Sequence, residues 1–168
     1  MKTLLIELLI LSIFLFSSFR VVENKPLTRE QYYSEITRHP EIIKEIFFYN
    51  QRYGYEPEIL IALCYQESRF KQFAICHNKN GSIDCGLYSL NSYYFKIPNI
   101  FDIKVNISNG IFYFDYCFQK GGSIKSALMI YNCGKIDYNK SGKYVDDIIS
   151  FANKLKIGYL NAGNMERY

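Results

Sequence analysis

A chain of 168 residues, 49% hydrophobic and 21% charged, has the apolar content of one globular domain and little room for a second. The 20 Lys and Arg against 16 Asp and Glu leave a net charge of only +4; with so many aromatics this excludes wholesale disorder, and with no basic run it gives no support for a nucleic-acid partner. Tryptophan is absent while tyrosine (16) and phenylalanine (13) abound, so any aromatic platform must come from those two.

Residues 1–20 read as a signal peptide or N-terminal anchor. Lys2 is the only early cation, Leu8 to Phe16 is apolar on every face, and Ser17 and Ser18 follow. That run has signal-peptide length and is short for a membrane span. Glu7 interrupts the stretch and no Ala-x-Ala site follows, so slow or absent cleavage would leave a membrane anchor. The expectation is export to the periplasm or cell envelope. Residues 21–27 then form a linker, 28–160 the folded domain, and 161–168 a tail without periodicity.

The body reads as helical. Thr28 to Gln31 matches a capping box, with Leu27 placed to staple onto Tyr32. Pro40 opens a second helix, Glu41 to Tyr53, stopped by Gly54. Pro57, flanked by Glu56 and Glu58, opens a third that runs to Phe70. Ser108 is placed to cap a helix to about Gln119, Ser123 one through Tyr131 toward Gly134, and Tyr144 to Lys156 forms the last.

Between Phe70 and Asn91 the helical pattern breaks. Asn80-Gly81 is a strong hairpin signal, and a two-residue turn there opposes His77 to Asp84 and Cys76 to Cys85. Opposed cysteines at a non-hydrogen-bonded pair lie within disulfide reach, and an exported chain meets oxidising conditions. A Cys76–Cys85 bridge is therefore predicted. Cys64, Cys117 and Cys133 read as buried thiols. No Cys-x-x-Cys pair exists and the only histidines are His39 and His77, so neither a metal nor another cofactor is expected.

The third helix carries a carboxylate out of place. Leu60, Leu63 and Cys64 precede Glu67 by seven, four and three residues and share its face. A carboxyl aimed at the core would have a raised pKa, as a general acid near neutrality requires. A helix-end glutamate turned to water or paired with Arg69 fits the same pattern.

Glu67-Ser68-Arg69-Phe70 resembles the Glu-Ser-x-Phe motif of the lytic transglycosylases of glycoside hydrolase family 23, the SLT domain family. Asn80 through Asn91 resembles that family's Gly-Ser-x-Asp-x-Gly-Leu-Met-Gln-Ile-Asn stretch, above all in the small enzymes that accompany conjugation and type IV secretion. Asn106-Ile107 with Gly110, then Ala127 through Tyr131-Asn132-Cys133-Gly134, then Tyr144-Val145 follow in family order. The resemblance spans Tyr53 to about Leu155, and five ordered motifs carry it where one would not.

The resemblance implies an α+β, predominantly α, lysozyme-like fold with one small β-hairpin. It implies cleavage of the β-1,4 bond between N-acetylmuramic acid and N-acetylglucosamine of peptidoglycan, with closure of a 1,6-anhydro ring. Glu67 would be general acid and then base. Ser68, Gly86, Leu87, Ser89, Asn91, Tyr131, Asn132 and Tyr144 would bind or orient the substrate, Tyr131 by a hydrogen bond to Glu67. From its spacing alone, Tyr131 reads as a core aromatic. Asp84 is the best candidate for a second acid, although its pairing with His77 suggests a structural role. Tyr88-Ser89 stands where the family has Met-Gln, and a serine offers fewer hydrogen bonds than a glutamine. That departure keeps two alternatives open: a hydrolytic lysozyme, and a wall-binding or secretion-accessory protein without turnover. Peptidoglycan strands are the expected partner, and a secretion or conjugation apparatus is suggested by likeness alone.

Overall fold

The computed structural model describes residues 26–163; the expected export segment, most of the linker and the end of the tail lie outside them. Six helices and one small sheet are seen among the described residues. Helix α1 (Arg29–Thr37) starts with the expected capping box: Thr28 Oγ1 accepts from the Gln31 amide at 3.2 Å, and Gln31 Oε1 accepts from the Thr28 amide at 2.9 Å. Helices α2 (Pro40–Asn50) and α3 (Pro57–Ser68) both open on proline, whose fixed φ suits a first turn. Helix α3 ends at Ser68 rather than at Phe70 because Arg69 and Phe70 turn left-handed, with φ of 55° and 58°.

Helix α3 is the centre of the molecule. Leu60, Ile61, Leu63 and Cys64 are wholly buried and Ala62 nearly so, which explains why no polar stripe interrupts its sequence. Each buried leucine or isoleucine contributes about 1.5–3 kcal/mol relative to exposure. Helices α2 and α6 (Tyr138–Asn161) pack against it, while α4 (Ile103–Gly121) and α5 (Ile124–Cys133) close the core from the other side. Near its start Glu58, 2% exposed, receives Arg29 at 2.6 and 2.7 Å and the hydroxyl of fully buried Tyr33.

Strands β1 (Ile75–His77), β2 (Ile83–Cys85) and β3 (Leu90–Asn91) form an antiparallel sheet in that order. The hairpin exists, but its register is one residue from the expected one. Ile75 faces Cys85, Cys76 faces Asp84 and His77 faces Ile83. The Asn78 amide donates to Ser82 O at 2.9 Å and the Gly81 amide to Asn78 O at 3.0 Å, with Gly81 at φ 83°. Asn80-Gly81 thus ends a three-residue loop whose glycine supplies the left-handed residue, instead of forming a two-residue turn by itself. One residue of slip moves a side chain to the other face. Cys76 is exposed, Cys85 is buried, and both are free thiols, so the predicted bridge is not formed. Asp84 likewise loses His77 as its opposite number.

Two helices begin earlier than their sequence suggests. Asp102 caps α4, its carboxylate accepting from the Val105 amide at 3.0 Å, and Ser108 lies inside the helix, donating to Val105 O. Asp137 caps α6, which then runs through Gly142 and Gly158.

Candidate active site

An open cleft of about 640 Å³ lies between the sheet and the C-terminal turn of α5. Glu67, in the last turn of α3, lines it. The hairpin contributes Asn78 to Asn80, Ser82 and Asp84. Ser89 to Asn91, Tyr94, Phe95 and Tyr113 follow, and Tyr131 to Gly134 close the other wall.

The residue hydrogen-bonded to the Glu67 carboxyl is Tyr144, whose hydroxyl donates to Oε1. Tyr131, expected in that role, donates instead to the Tyr88 carbonyl at 2.8 Å. Its ring lines the cleft and packs on Tyr113, with centroids 5.0 Å apart. Burial pushes the Glu67 carboxyl above the usual carboxylate range. The Tyr144 and Ser89 hydroxyls pull it back, and the negative charge of Asp84 pushes it up further. Burial, with Glu67 adjacent, pushes the Tyr144 phenol far above its ordinary value, so it stays a donor.

Tyr88 fastens the loop that carries Ser89. It is fully buried, donates its hydroxyl to Leu60 O at 3.0 Å, and receives Tyr131 on its carbonyl. Gly110 leaves room for its ring: a Cβ there would sit 2.3 Å from Tyr88 Cγ. Fully buried Asn106 accepts from the Tyr88 amide at 2.8 Å and donates to Cys85 O and Ile100 O. Gly86, at φ 76°, is required by the same asparagine, since a Cβ would lie 2.2 Å from Asn106 Nδ2. Its missing Cβ thus makes room for the Asn106 side chain of α4. Tyrosine in place of the family's methionine is a core anchor. Ser89 follows at φ 48°, a conformation costing about 1–3 kcal/mol, and its hydroxyl donates to Glu67 O at 3.2 Å.

The other expected residues divide. Asn91 lines the cleft and donates to Asp84 Oδ1 at 2.7 Å and Ser82 Oγ at 2.9 Å. Asn132 lines it from α5, its Oδ1 accepting from Ser141 Oγ at 2.9 Å. Leu87 is wholly buried, and Ser68 is buried with its hydroxyl on Cys64 O at 3.1 Å; neither lines the cleft. Cys64 and Cys117 are buried thiols, while Cys133 is partly exposed and lines the cleft. Sequence reasoning missed Tyr94, Phe95 and Tyr113, because nothing separates cleft aromatics from core ones in so aromatic a chain. Asp84 turned out to face the cleft, where it stands opposite Asn91 of β3.

The arrangement offers one half-buried carboxyl with a phenol donor, and a second carboxylate held by Asn91 on the same cleft. Among the described residues, no cluster of His, Cys, Asp and Glu is arranged to hold a metal ion, and no helix is long and apolar enough to cross a membrane.

Comparison with known proteins gives the same direction. The family model described as the transglycosylase SLT domain matches residues 44–150. The invasion protein IagB of Salmonella typhimurium, in strains SL1344 and LT2, and that of Salmonella typhi are each 38% identical over 79 residues. The match covers 46% of this chain and 47% of each relative, so the chain spans about half the length of the curated relatives it matches. No solved structure matches it significantly.

Proposed function

The chain belongs to the transglycosylase SLT domain family, and from that premise we propose that it is an exported lytic transglycosylase of peptidoglycan with Glu67 as its catalytic residue. The observation that carries this reading is the hydrogen bond from Tyr144 to the carboxyl of Glu67, a residue that lines the cleft and whose pKa is raised by burial. Glu67 protonates the glycosidic oxygen as the bond to the muramyl C1 breaks. It then takes the proton of the muramyl 6-hydroxyl as that oxygen attacks C1, which regenerates the acid and consumes no water. The substrate's acetamido group supports the cationic centre, so one protein carboxylate suffices, as in substrate-assisted glycosidases. The tethered nucleophile supplies proximity. A place beside a secretion or conjugation apparatus belongs to the same proposal and rests on likeness to the small secretion-linked enzymes.

Mass spectrometry of the sugars that the full chain releases from purified peptidoglycan tests the reading. Muramyl products one water lighter than hydrolysis products are expected. Glu67→Gln should lower their yield at least about 100-fold, the usual worth of a general acid and base. A folded Glu67→Gln variant with wild-type turnover would remove Glu67 from this role.

One observation favours a second reading: Asp84 shares the cleft with Glu67. As a base on water it would make the enzyme an inverting hydrolase, given a carboxyl separation of about 6.5–9.5 Å. Ordinary reducing ends, lost in Asp84→Asn, would establish that reading in place of ring closure.

A further inference from the structure

The sheet has two faces, and the cleft uses one of them. Side chains alternate along a strand, so Asp84 of β2 lines the cleft while Ile83 and Cys85 line an open groove of about 380 Å³ on the other side, with Ile97, Pro98, Ile100 and Phe101. Two large apolar side chains stand free beside that groove: Phe73 is 71% exposed and Ile75 53%. The Phe73 ring meets that of Phe101 with centroids 6.0 Å apart. Ile75 lies opposite Cys85 on β2, so its side chain shares the groove's face.

The charge around this apolar surface has one sign. Residues 71–104 carry four lysines and two acids. Of the acids, Asp84 lies on the cleft face and Asp102 spends its carboxylate on capping α4. Lys96 lines the groove, Lys71 is two residues from Phe73 and Lys104 three from Phe101. All three are exposed, and none forms an ion pair among the described residues.

We propose that this face docks on an anionic lipid surface, with Phe73 and Ile75 entering the interface and Lys71, Lys96 and Lys104 meeting the headgroup phosphates. Protruding apolar side chains gain by leaving water, and ammonium groups gain from the negative potential of the lipid, with no shape-matched pocket required. A second copy would set lysines against lysines on the same face, a juxtaposition that costs affinity. Docking in this way turns the cleft, on the opposite face of the sheet, away from the lipid, and it does not depend on what the cleft cleaves.

The chain has no tryptophan, so Phe73→Trp gives the full chain a single indole on this face. Residues 1–20, if an anchor, would carry the chain to any vesicle, and the readout is therefore local. With vesicles of phosphatidylglycerol and phosphatidylcholine, the emission should move to the blue and be quenched by brominated acyl chains. Phosphatidylcholine alone should give a smaller shift. Changing Lys71, Lys96 and Lys104 together to Gln should lower the ratio of docked to free indole roughly 100-fold, from about 5-fold for each cation near an anionic surface. Ile157→Trp, exposed on α6 where neighbouring Gly158 meets Tyr32 of α1, should stay red and unquenched. Ile75→Trp serves if Phe73→Trp folds poorly. An indole at the sheet that stays red on vesicles, or that shifts equally without the lysines, would overturn the proposal. So would a blue shift at α6 alone, which would put the α1 end against the lipid, or one that grows with protein concentration in the absence of lipid, which would mean that a protein partner covers this face.

Discussion

Glu67 and Tyr144 are a pair with opposing tendencies. Burial holds the carboxyl toward its protonated form, and the phenol's hydrogen bond favours the ionised one. The first step requires the acid form, so kcat/KM should fall as pH rises through the Glu67 pKa. Tyr144→Phe removes the group that pulls this pKa down. Its alkaline limb should therefore move to higher pH, while turnover at the optimum drops roughly 10- to 100-fold, as for a lost hydrogen bond to a charged group. A limb that stays in place or moves to lower pH would count against Tyr144 as the partner of Glu67. The helical spacing of Leu60, Leu63, Cys64 and Glu67 was enough to suspect this carboxyl; the identity of its partner was not legible. Tyr131 and Tyr144 are both tyrosines in motifs, and which hydroxyl reaches Glu67 depends on how α5 and α6 cross.

At the scale of elements, the hairpin shows how a correct local signal can give a wrong contact. Asn80-Gly81 does reverse the chain, yet two-residue and three-residue loops both use a glycine at positive φ, and they differ by one residue of register. That single residue separates Cys76 from Cys85, while on the other edge of β2 Asp84 stands opposite Asn91 of β3. Alkylation of the native, unreduced protein should accordingly label Cys76, which is exposed, and leave Cys64, Cys85 and Cys117 unlabelled until unfolding. Peptide mapping reads the result, and a Cys76–Cys85 linked peptide would restore the other register. Helix α6 is the reverse case. Its first turns, Tyr138 to Lys143, contain Asn, Ser and Gly, which favour turns over helix. Packing on α5 and the Asp137 cap override that preference, and with those turns comes Ser141, hydrogen-bonded to Asn132.

Across the whole molecule, α1 is fixed to α3 by one buried charge. Glu58 is 2% exposed and depends on Arg29 and Tyr33, whereas Glu56, with 54% of its side chain exposed, shares Arg29 and Lys156 at the surface. Arg29→Ala leaves the buried carboxylate without its cation and should cost about 3–5 kcal/mol in urea unfolding. Glu56→Ala, which breaks only a screened pair, should cost less than about 1 kcal/mol. Comparable losses in the two variants would show that the inner ion pair is not a support of the fold.

The sequence by itself determined the helices that begin on a local device, the capping box at Thr28 and the prolines of α2 and α3, and the placing of the Glu67 carboxyl on a core helix. Its ordered motifs also led to the family. Those signals act within a turn or two of chain, where spacing and steric preference decide. Only the tertiary structure decided the register of the sheet, the tyrosine that serves Glu67, the anchoring of the Ser89 loop by Tyr88 and Asn106, and the contact of Asn132 with Ser141. Each is a contact between elements distant in sequence, and such contacts depend on packing at a resolution finer than any residue pattern carries.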